Sequence, residues 1–82
     1  MRYYTSKKEL WFNLNRVYTK ANELYDLTND QDLMFCIYAL TPYVEDYDLF
    51  IKSNGALVFG LIEELKAEIE RLIKNFHFNY KS

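Results

Sequence analysis

Hydrophobic residues near the start of the chain recur with the spacing of one face of an α-helix. The members of this stripe, spaced by 4, 3, 4 and 3 residues, are Leu10, Leu14, Val17, Ala21 and Leu24. Thr5 or Ser6 can cap the start of this helix, and Glu9 lies three residues after Ser6, which is the spacing of a capping box. The pattern predicts a first helix over residues 6–27, ended by the polar residues 28–30.

A second stripe of the same kind crosses the single proline of the chain. Its members are Leu33, Ile37, Leu40, Val44, Tyr47 and Ile51. A proline inside a helix removes a backbone hydrogen bond and clashes with the preceding turn, which costs about 3 kcal/mol. One interpretation is a single helix over residues 31–53 that is kinked at Pro42. The other is two short helices, with Thr41 as the N-cap and Pro42 in the first helical position. The unbroken spacing favours the kink.

The third stripe is the most regular, and a tail of different pattern follows it. Its members are Val58, Ile62, Leu65, Ile69, Leu72 and Phe76. Gly55 ahead of the stripe suits the left-handed conformation that ends a preceding helix, and Gly60 within it indicates close approach of a neighbouring helix. The stripe predicts a helix over residues 56–76. Residues 76–80 alternate with period 2, which predicts a short extended aromatic tail.

Three helices of similar length joined by short connections predict an all-α fold, an antiparallel up-down-up three-helix bundle. A chain of 82 residues is expected to form a single helical domain over residues 1–82, near the size at which one core only just suffices. Aromatic residues near the two ends exceed what one small core needs and form a possible secondary surface. They are Tyr3, Tyr4, Phe78 and Tyr80. In an antiparallel dimer or a four-helix arrangement, the two ends would be able to pair.

The charge is unevenly distributed along the chain. The formal net charge is −2, but residues 1–20 carry +4, residues 21–50 carry −7 and residues 51–82 carry +1. The middle segment contains no Lys or Arg. Such a block predicts an acidic surface on the middle helix.

Tyrosines accompany these acids within two helical turns. If Val44 and Tyr47 face the core, Tyr43 and its acidic neighbours face outward. An acidic surface with aromatic contact area suits a partner protein with a basic surface, because charge complementarity speeds encounter and the aromatic rings supply contact energy. The candidate partner-binding residues are Tyr43, Glu45, Asp46, Asp48, Asp30 and Asp32.

The sequence predicts no catalytic group. Cys36 and His77 are the only residues of their types and would have to act together as nucleophile and base. Cys36 lies among apolar residues, where burial raises the pKa of a thiol, and His77 lies near the end of the chain. The carboxylates fall on helices of a bundle that is expected to be too small for a concave acid–base site.

No metal or cofactor site is expected either. Residues 30–32 begin like a calcium-binding loop but lack its glycine and its closing glutamate, so they are interpreted as acids at a helix start. The two glycines are too far apart for a phosphate-binding loop. The single cysteine excludes a disulfide within the chain.

These observations predict a small non-enzymatic protein-binding module, acting as an inhibitor, antagonist or adaptor that occupies a basic site on its partner. The composition resembles that of small accessory proteins of phages and mobile elements in AT-rich bacteria. One alternative is a self-associating helical module that forms a homodimer. A second is a weak nucleic-acid binder that uses the basic segment 1–20, although a pI of about 5.3 disfavours nucleic-acid binding. The chain lacks an apolar signal segment and any membrane-spanning run, so a cytoplasmic protein is expected.

Overall fold

A computed structural model of the protein describes residues 6–81, with side chains for residues 6–75. These residues form four α-helices and no strand. The helices are α1 (Lys7–Thr28), α2 (Gln31–Glu45), α3 (Tyr47–Lys52) and α4 (Gly55–Lys81). The three long helices pack against one another, and α3 packs against α2. The all-α prediction is confirmed.

Helix α1 begins and ends within one residue of the prediction. The backbone N–H of Glu9 donates to Ser6 Oγ at 3.1 Å, so the predicted serine cap is confirmed. At the other end Asn29 adopts the left-handed conformation with φ 53°, and its N–H donates to the Tyr25 carbonyl. Asparagine tolerates this conformation better than other side-chain-bearing residues, which explains why the helix ends here.

The break in the middle segment lies at Asp46 and not at Pro42. Pro42 is inside α2, which continues to Glu45, and Asp46 then adopts an extended conformation. The Asp46 carboxylate accepts from the Leu49 N–H at 3.1 Å and thereby caps α3. Both interpretations of the sequence were therefore wrong about the position. Pro42 is exposed, so water can solvate the carbonyl that the proline leaves without a donor, while Asp46 supplies a strong start signal for a new helix.

Thr41, the predicted cap, has a different role. Its hydroxyl donates to the Ile37 carbonyl at 2.9 Å and lies 2.7 Å from the Tyr18 hydroxyl. Such a bond to the preceding turn is a known way for threonine to sit inside a helix and bend it. Thr41 therefore joins α2 to α1 and does not start a helix.

Helix α4 differs from the prediction at both ends. Gly55 is its first residue and is buried, and no glycine among residues 6–81 has a positive φ, so the left-handed stop at Gly55 was wrong. Asn54 begins the helix instead, because its Oδ1 accepts from the Ala56 N–H at 2.9 Å. The backbone remains helical to Lys81, so the extended tail over residues 76–80 was also wrong. No Pro or Gly follows Gly60, and a helix that is already formed extends at little cost.

The core is built from the predicted stripes, with a change at α3. The buried apolar residues are Leu10, Leu14, Val17, Ala21, Leu33, Ile37, Leu40, Phe50, Val58, Ile62, Leu65, Ile69 and Leu72. Tyr47 and Ile51 belong to the second stripe but are exposed, and Phe50 is buried in their place. The extended Asp46 explains the exchange, because it rotates α3 relative to α2 and shifts the side of the helix that faces inward.

Contacts along the helices show their relative directions. Tyr25 contacts Met34, Tyr18 contacts Thr41 and Trp11 contacts Tyr47, in opposite order along the two segments. The start of α1 also lies beside the start of α4, because the Lys7 ammonium reaches the Ser53 carbonyl. Helices α1 and α4 therefore begin at the same end of the molecule.

Gly60 provides a first prediction. It is exposed on α4, and no neighbouring group lies within 4 Å of the position that a Cβ would occupy, so the close helix approach inferred from the sequence was wrong. Gly60→Ala is expected to increase the free energy of unfolding by about 1 kcal/mol, because alanine loses less backbone entropy in a helix. Urea denaturation followed by circular dichroism measures the change. A destabilised variant would contradict the open surroundings of Gly60.

Candidate functional site

One side of α2 is exposed along its whole length and carries two large aromatic rings. Its members, spaced by 4, 3, 4 and 3 residues, are Gln31, Phe35, Tyr38, Pro42 and Glu45. Asp32 and Ala39 are exposed beside them. We call these seven residues the outer face of α2. It lies on the side of the helix opposite to the buried residues Leu33, Ile37 and Leu40.

Phe35 and Tyr38 are the main contact area of this face. Their side chains are 62% and 63% exposed, and they lie three residues apart, so they are neighbours on the helix surface. Exposed aromatic rings with few rotatable bonds are favoured anchors of protein interfaces. Sequence reasoning missed both residues, although a signal existed: each is two positions away from a core residue, which places it on the far side of a helix.

Two of the predicted acids frame these rings. Asp32 and Glu45 are exposed at opposite ends of the outer face, about 20 Å apart along the helix axis at 1.5 Å per residue. Asp46 and Asp48 are exposed beyond Glu45, at the start of α3. Asp46 is already engaged as the cap of α3, so its carboxylate has a structural role.

Tyr43 does not lie on this face. It is half-buried and packs against the core, contrary to its predicted outward orientation. The helical spacing explains this position, because Cys36, Leu40 and Tyr43 follow one another at 4 and 3 residues along the flank of the buried side.

Asp30 is placed at the other end of α2 and has a structural role. Its carboxylate accepts from the Leu33 N–H at 3.0 Å and from the Arg71 guanidinium at 3.3 Å. The Leu33 N–H, and to a smaller extent Arg71, hold the pKa of Asp30 below its ordinary value. Asp30 is thus the N-cap of α2, which confirms the interpretation of residues 30–32 as acids at a helix start.

Three carboxylates lie close together at this end. Oxygen atoms of Asp30, Asp32 and Glu68 are all within 4.8 Å of one another. Arg71 donates to Glu68 at 2.7 Å and to Asp30 at 3.3 Å. The guanidinium supplies a positive charge to this cluster, which therefore links α2 to α4 as an ion-pair network.

The only thiol is poorly suited to nucleophilic chemistry. Cys36 is half-buried, and burial, followed by the charges of Glu68 and Glu64, raises its pKa above the ordinary value. The predicted direction is confirmed. A thiol with a raised pKa stays protonated at neutral pH and is a weak nucleophile. The side chain of His77, its only possible imidazole partner, lies outside the described residues.

The four residues of the possible secondary surface also lie outside the described side chains. Tyr3 and Tyr4 precede residue 6, and Phe78 and Tyr80 belong to the last turns of α4, where only the backbone is described. Their pairing stays a prediction.

A lysine fixes α3 to the start of α1. The Lys7 ammonium donates to the carbonyl oxygens of Phe50 at 3.1 Å, Ile51 at 2.8 Å and Ser53 at 2.9 Å. It also lies 5.3 Å from the centre of the Phe50 ring. These carbonyls form the negative end of α3, so the cation both bonds to them and stabilises the helix dipole.

Lys7→Met tests this contact. Methionine retains an unbranched side chain of similar length but cannot donate, and hydrogen bonds from a charged donor contribute more than neutral ones. We expect the free energy of unfolding to fall by about 2 kcal/mol. The matched control is Lys8→Met at the exposed neighbouring position, where a change within about 0.5 kcal/mol is expected. Equal effects of the two variants in urea denaturation would contradict the structural role of Lys7.

Comparison of the chain with protein-family models, with curated proteins and with solved structures gave no match. Within residues 6–81, no helix combines the length and apolar character needed to cross a membrane.

Proposed function

We propose that this protein is a small non-enzymatic binding module that occupies a basic surface on a partner protein through the outer face of α2. The observation that carries this proposal is the exposure of Phe35 and Tyr38 between the acids Asp32 and Glu45. A protein of this kind acts as an inhibitor, antagonist or adaptor, because its effect depends on covering the partner and not on a reaction.

Energetic considerations support a protein as the partner. Two adjacent aromatic rings that become buried supply a hydrophobic centre for an interface. The surrounding acids speed encounter with a positively charged surface and disfavour negatively charged ones. Residues 21–50 contain seven acids and no Lys or Arg, so no basic side chain of this segment weakens that preference.

The wider setting of the protein follows from its sequence. An unpaired thiol suits a reducing compartment, so we place the protein in the cytoplasm. Its small size and aromatic content support an accessory role of the kind found in phages and mobile elements. In the up-down-up bundle that the sequence predicts, α2 contacts α1 and α4 on its buried side, which leaves the opposite side open to a partner.

A charge-reversal pair tests the function. Asp32→Lys with Glu45→Lys reverses both acids of the outer face and leaves the capping residues Asp30 and Asp46 in place. Because Asp32 also lies within 4.8 Å of the Asp30 and Glu68 carboxylates, circular dichroism verifies that this double variant keeps its fold. The control pair is Glu23→Lys with Asp26→Lys on α1, where both acids are exposed. The two pairs change the net charge equally, so they separate a local effect from a general one.

The immobilised variants are used to capture proteins from a lysate of the native host, with quantitative mass spectrometry as the readout. We expect a basic protein that the unchanged chain and the control pair retain, and that the Asp32/Glu45 pair loses at least tenfold. Equal retention by both pairs would contradict the proposed face. A captured partner with an acidic surface would contradict the proposed charge complementarity.

A further inference from the structure

A groove with a mainly basic lining, opposite in charge to the acidic outer face of α2, runs between α1 and α4. It has a volume of about 450 Å³ and is lined by Arg16, Val17, Lys20, Lys66, Ile69 and Glu70. Val17 and Ile69 form an apolar floor and are almost completely buried. Three of the four charged residues are cations. One of them, Lys66, also contacts Glu63 at 3.3 Å on the helix surface.

Exposed aliphatic side chains lie one heptad beyond these cations on both helices. Leu27 follows Lys20 by seven residues, and Ile73 follows Lys66 by seven residues, so each lies on the same side of its helix as the corresponding lysine. Leu27 is 75% exposed and Ile73 is 43% exposed. Because α1 and α4 begin at the same end, the groove has a basic level followed by an apolar level.

The outer face of α2 has the complementary order at nearly the same spacing. Asp32 precedes Tyr38 by six residues, about 9 Å along α2, and Lys20 precedes Leu27 by seven residues, about 10 Å along α1. An α2 helix that lies parallel to α1 and α4 would therefore bring its acid to the cations while its rings cover the exposed aliphatic residues. Phe35, which lies between Asp32 and Tyr38, would then face the boundary between the basic level and the apolar level of the groove.

We infer that the groove between α1 and α4 binds the outer face of α2 of a second copy of this chain. The contact is head-to-tail, because two different surfaces of the molecule meet. Such contacts do not close into a symmetric dimer and extend into open chains unless a ring forms. This inference uses the same outer face as the proposed function, so a basic partner bound to that face competes with self-association.

A nucleic acid fits the groove less well than an acidic helix. The cations Arg16 and Lys20 span only about 6 Å along α1, and exposed acids lie on both sides of them. These acids are Glu23 and Asp26 on α1 and Glu63 and Glu70 on α4. A continuous polyanion would meet several of these carboxylates, whereas a helix that carries an acidic level followed by aromatic rings places its charge at the cations and its rings at the apolar residues.

Two blocked variants test the inference. Arg16→Glu with Lys20→Glu blocks the groove and leaves the outer face intact. Phe35→Ala with Tyr38→Ala weakens the outer face and leaves the groove intact. All of these positions are exposed, so the fold is retained, which circular dichroism verifies. Sedimentation is measured for each protein alone and for an equimolar mixture, from about 10 μM to about 1 mM, a range suited to weak contacts.

The unchanged protein is expected to grow in average mass with concentration, beyond twice the 9.9 kDa of one chain, and less so at high salt, which screens exposed charges. Each blocked variant alone stays monomeric. Their mixture forms a one-to-one dimer and stops there, because only one intact groove and one intact face remain.

A strictly monomeric unchanged protein, or a mixture that does not associate, would overturn the inference. Growth that stops at a dimer and ignores both sets of substitutions would also overturn it in favour of a symmetric contact. Loss of the growth in average mass after nuclease treatment would show that nucleic acid occupies the groove and causes the association. The Arg16/Lys20 variant should still capture the basic partner. If the unchanged protein captures a basic partner but does not self-associate, only this inference is refuted. If it self-associates but captures no basic partner, only the proposed function is refuted.

Discussion

Phe50→Ala is expected to lower the free energy of unfolding by about 3–5 kcal/mol. Phe50 is the only buried residue of α3 and is completely enclosed. Its ring lies 5.0 Å from the centre of Trp11 and below the Lys7 ammonium. Truncation would leave a cavity and remove the apolar contact that holds this six-residue helix, and a helix so short is unstable without packing.

The matched control for this variant is Leu49→Ala, at an exposed position on the same helix. It is expected to cost about 1 kcal/mol, well below the loss for Phe50→Ala, because the Leu49 side chain is already 42% exposed. Urea denaturation followed by Trp11 fluorescence reports both global unfolding and the surroundings of α3. A Phe50→Ala protein as stable as the Leu49→Ala protein would show that α3 does not depend on its packing.

Phe35→Ala combined with Tyr38→Ala is expected to lower the affinity for the captured basic partner by about 100-fold or more. Central aromatic residues at interfaces commonly contribute 2 kcal/mol or more each, and the two losses need not add. Both rings are exposed in the free protein, so the double variant should keep its fold and its free energy of unfolding within about 1 kcal/mol. Isothermal titration calorimetry measures the affinity, and denaturation measures the stability.

Phe12→Ala is the matched control for the aromatic pair. Phe12 lies on α1 and is 61% exposed, so its removal deletes a comparable ring from a different helix. The control should bind the partner as tightly as the unchanged protein. Equal losses of affinity for the two variants would indicate general stickiness of exposed aromatic rings and would contradict a specific binding face on α2.

Much of the fold was predictable because each long helix has a simple apolar period. The stripes on α1 and α4 and the first half of α2 correspond to buried residues, except that Leu24 is half-buried and the side chain of Phe76 lies outside the described residues. The Ser6 cap and the turn at residues 28–30 were also predictable from the sequence, because a short polar side chain next to a helix has few other roles. These features depend on neighbours within a few positions along the chain.

The features that were missed depend on competition between signals or on distant contacts. Proline is a stronger helix breaker than aspartate, yet the residue that leaves the helical conformation is Asp46, whose side chain caps the next helix. The contact between the Lys7 ammonium and the carbonyls of α3 joins residues more than 40 positions apart, and no local sequence pattern predicts it. The helical spacing predicts that Phe35 and Tyr38 are exposed, but neither residue is charged, so the charge pattern does not mark them as part of a binding face.

In-cell photo-crosslinking tests the binding face of α2 most directly. The photoreactive residue p-benzoylphenylalanine replaces Phe35 in one protein and Phe12 in another, since both positions are exposed aromatic residues on different helices. We expect the protein labelled at position 35 to form a discrete adduct with a basic protein, and the one labelled at position 12 to form none. An adduct at position 12 without one at position 35 would contradict the assignment of the outer face of α2 as the binding surface.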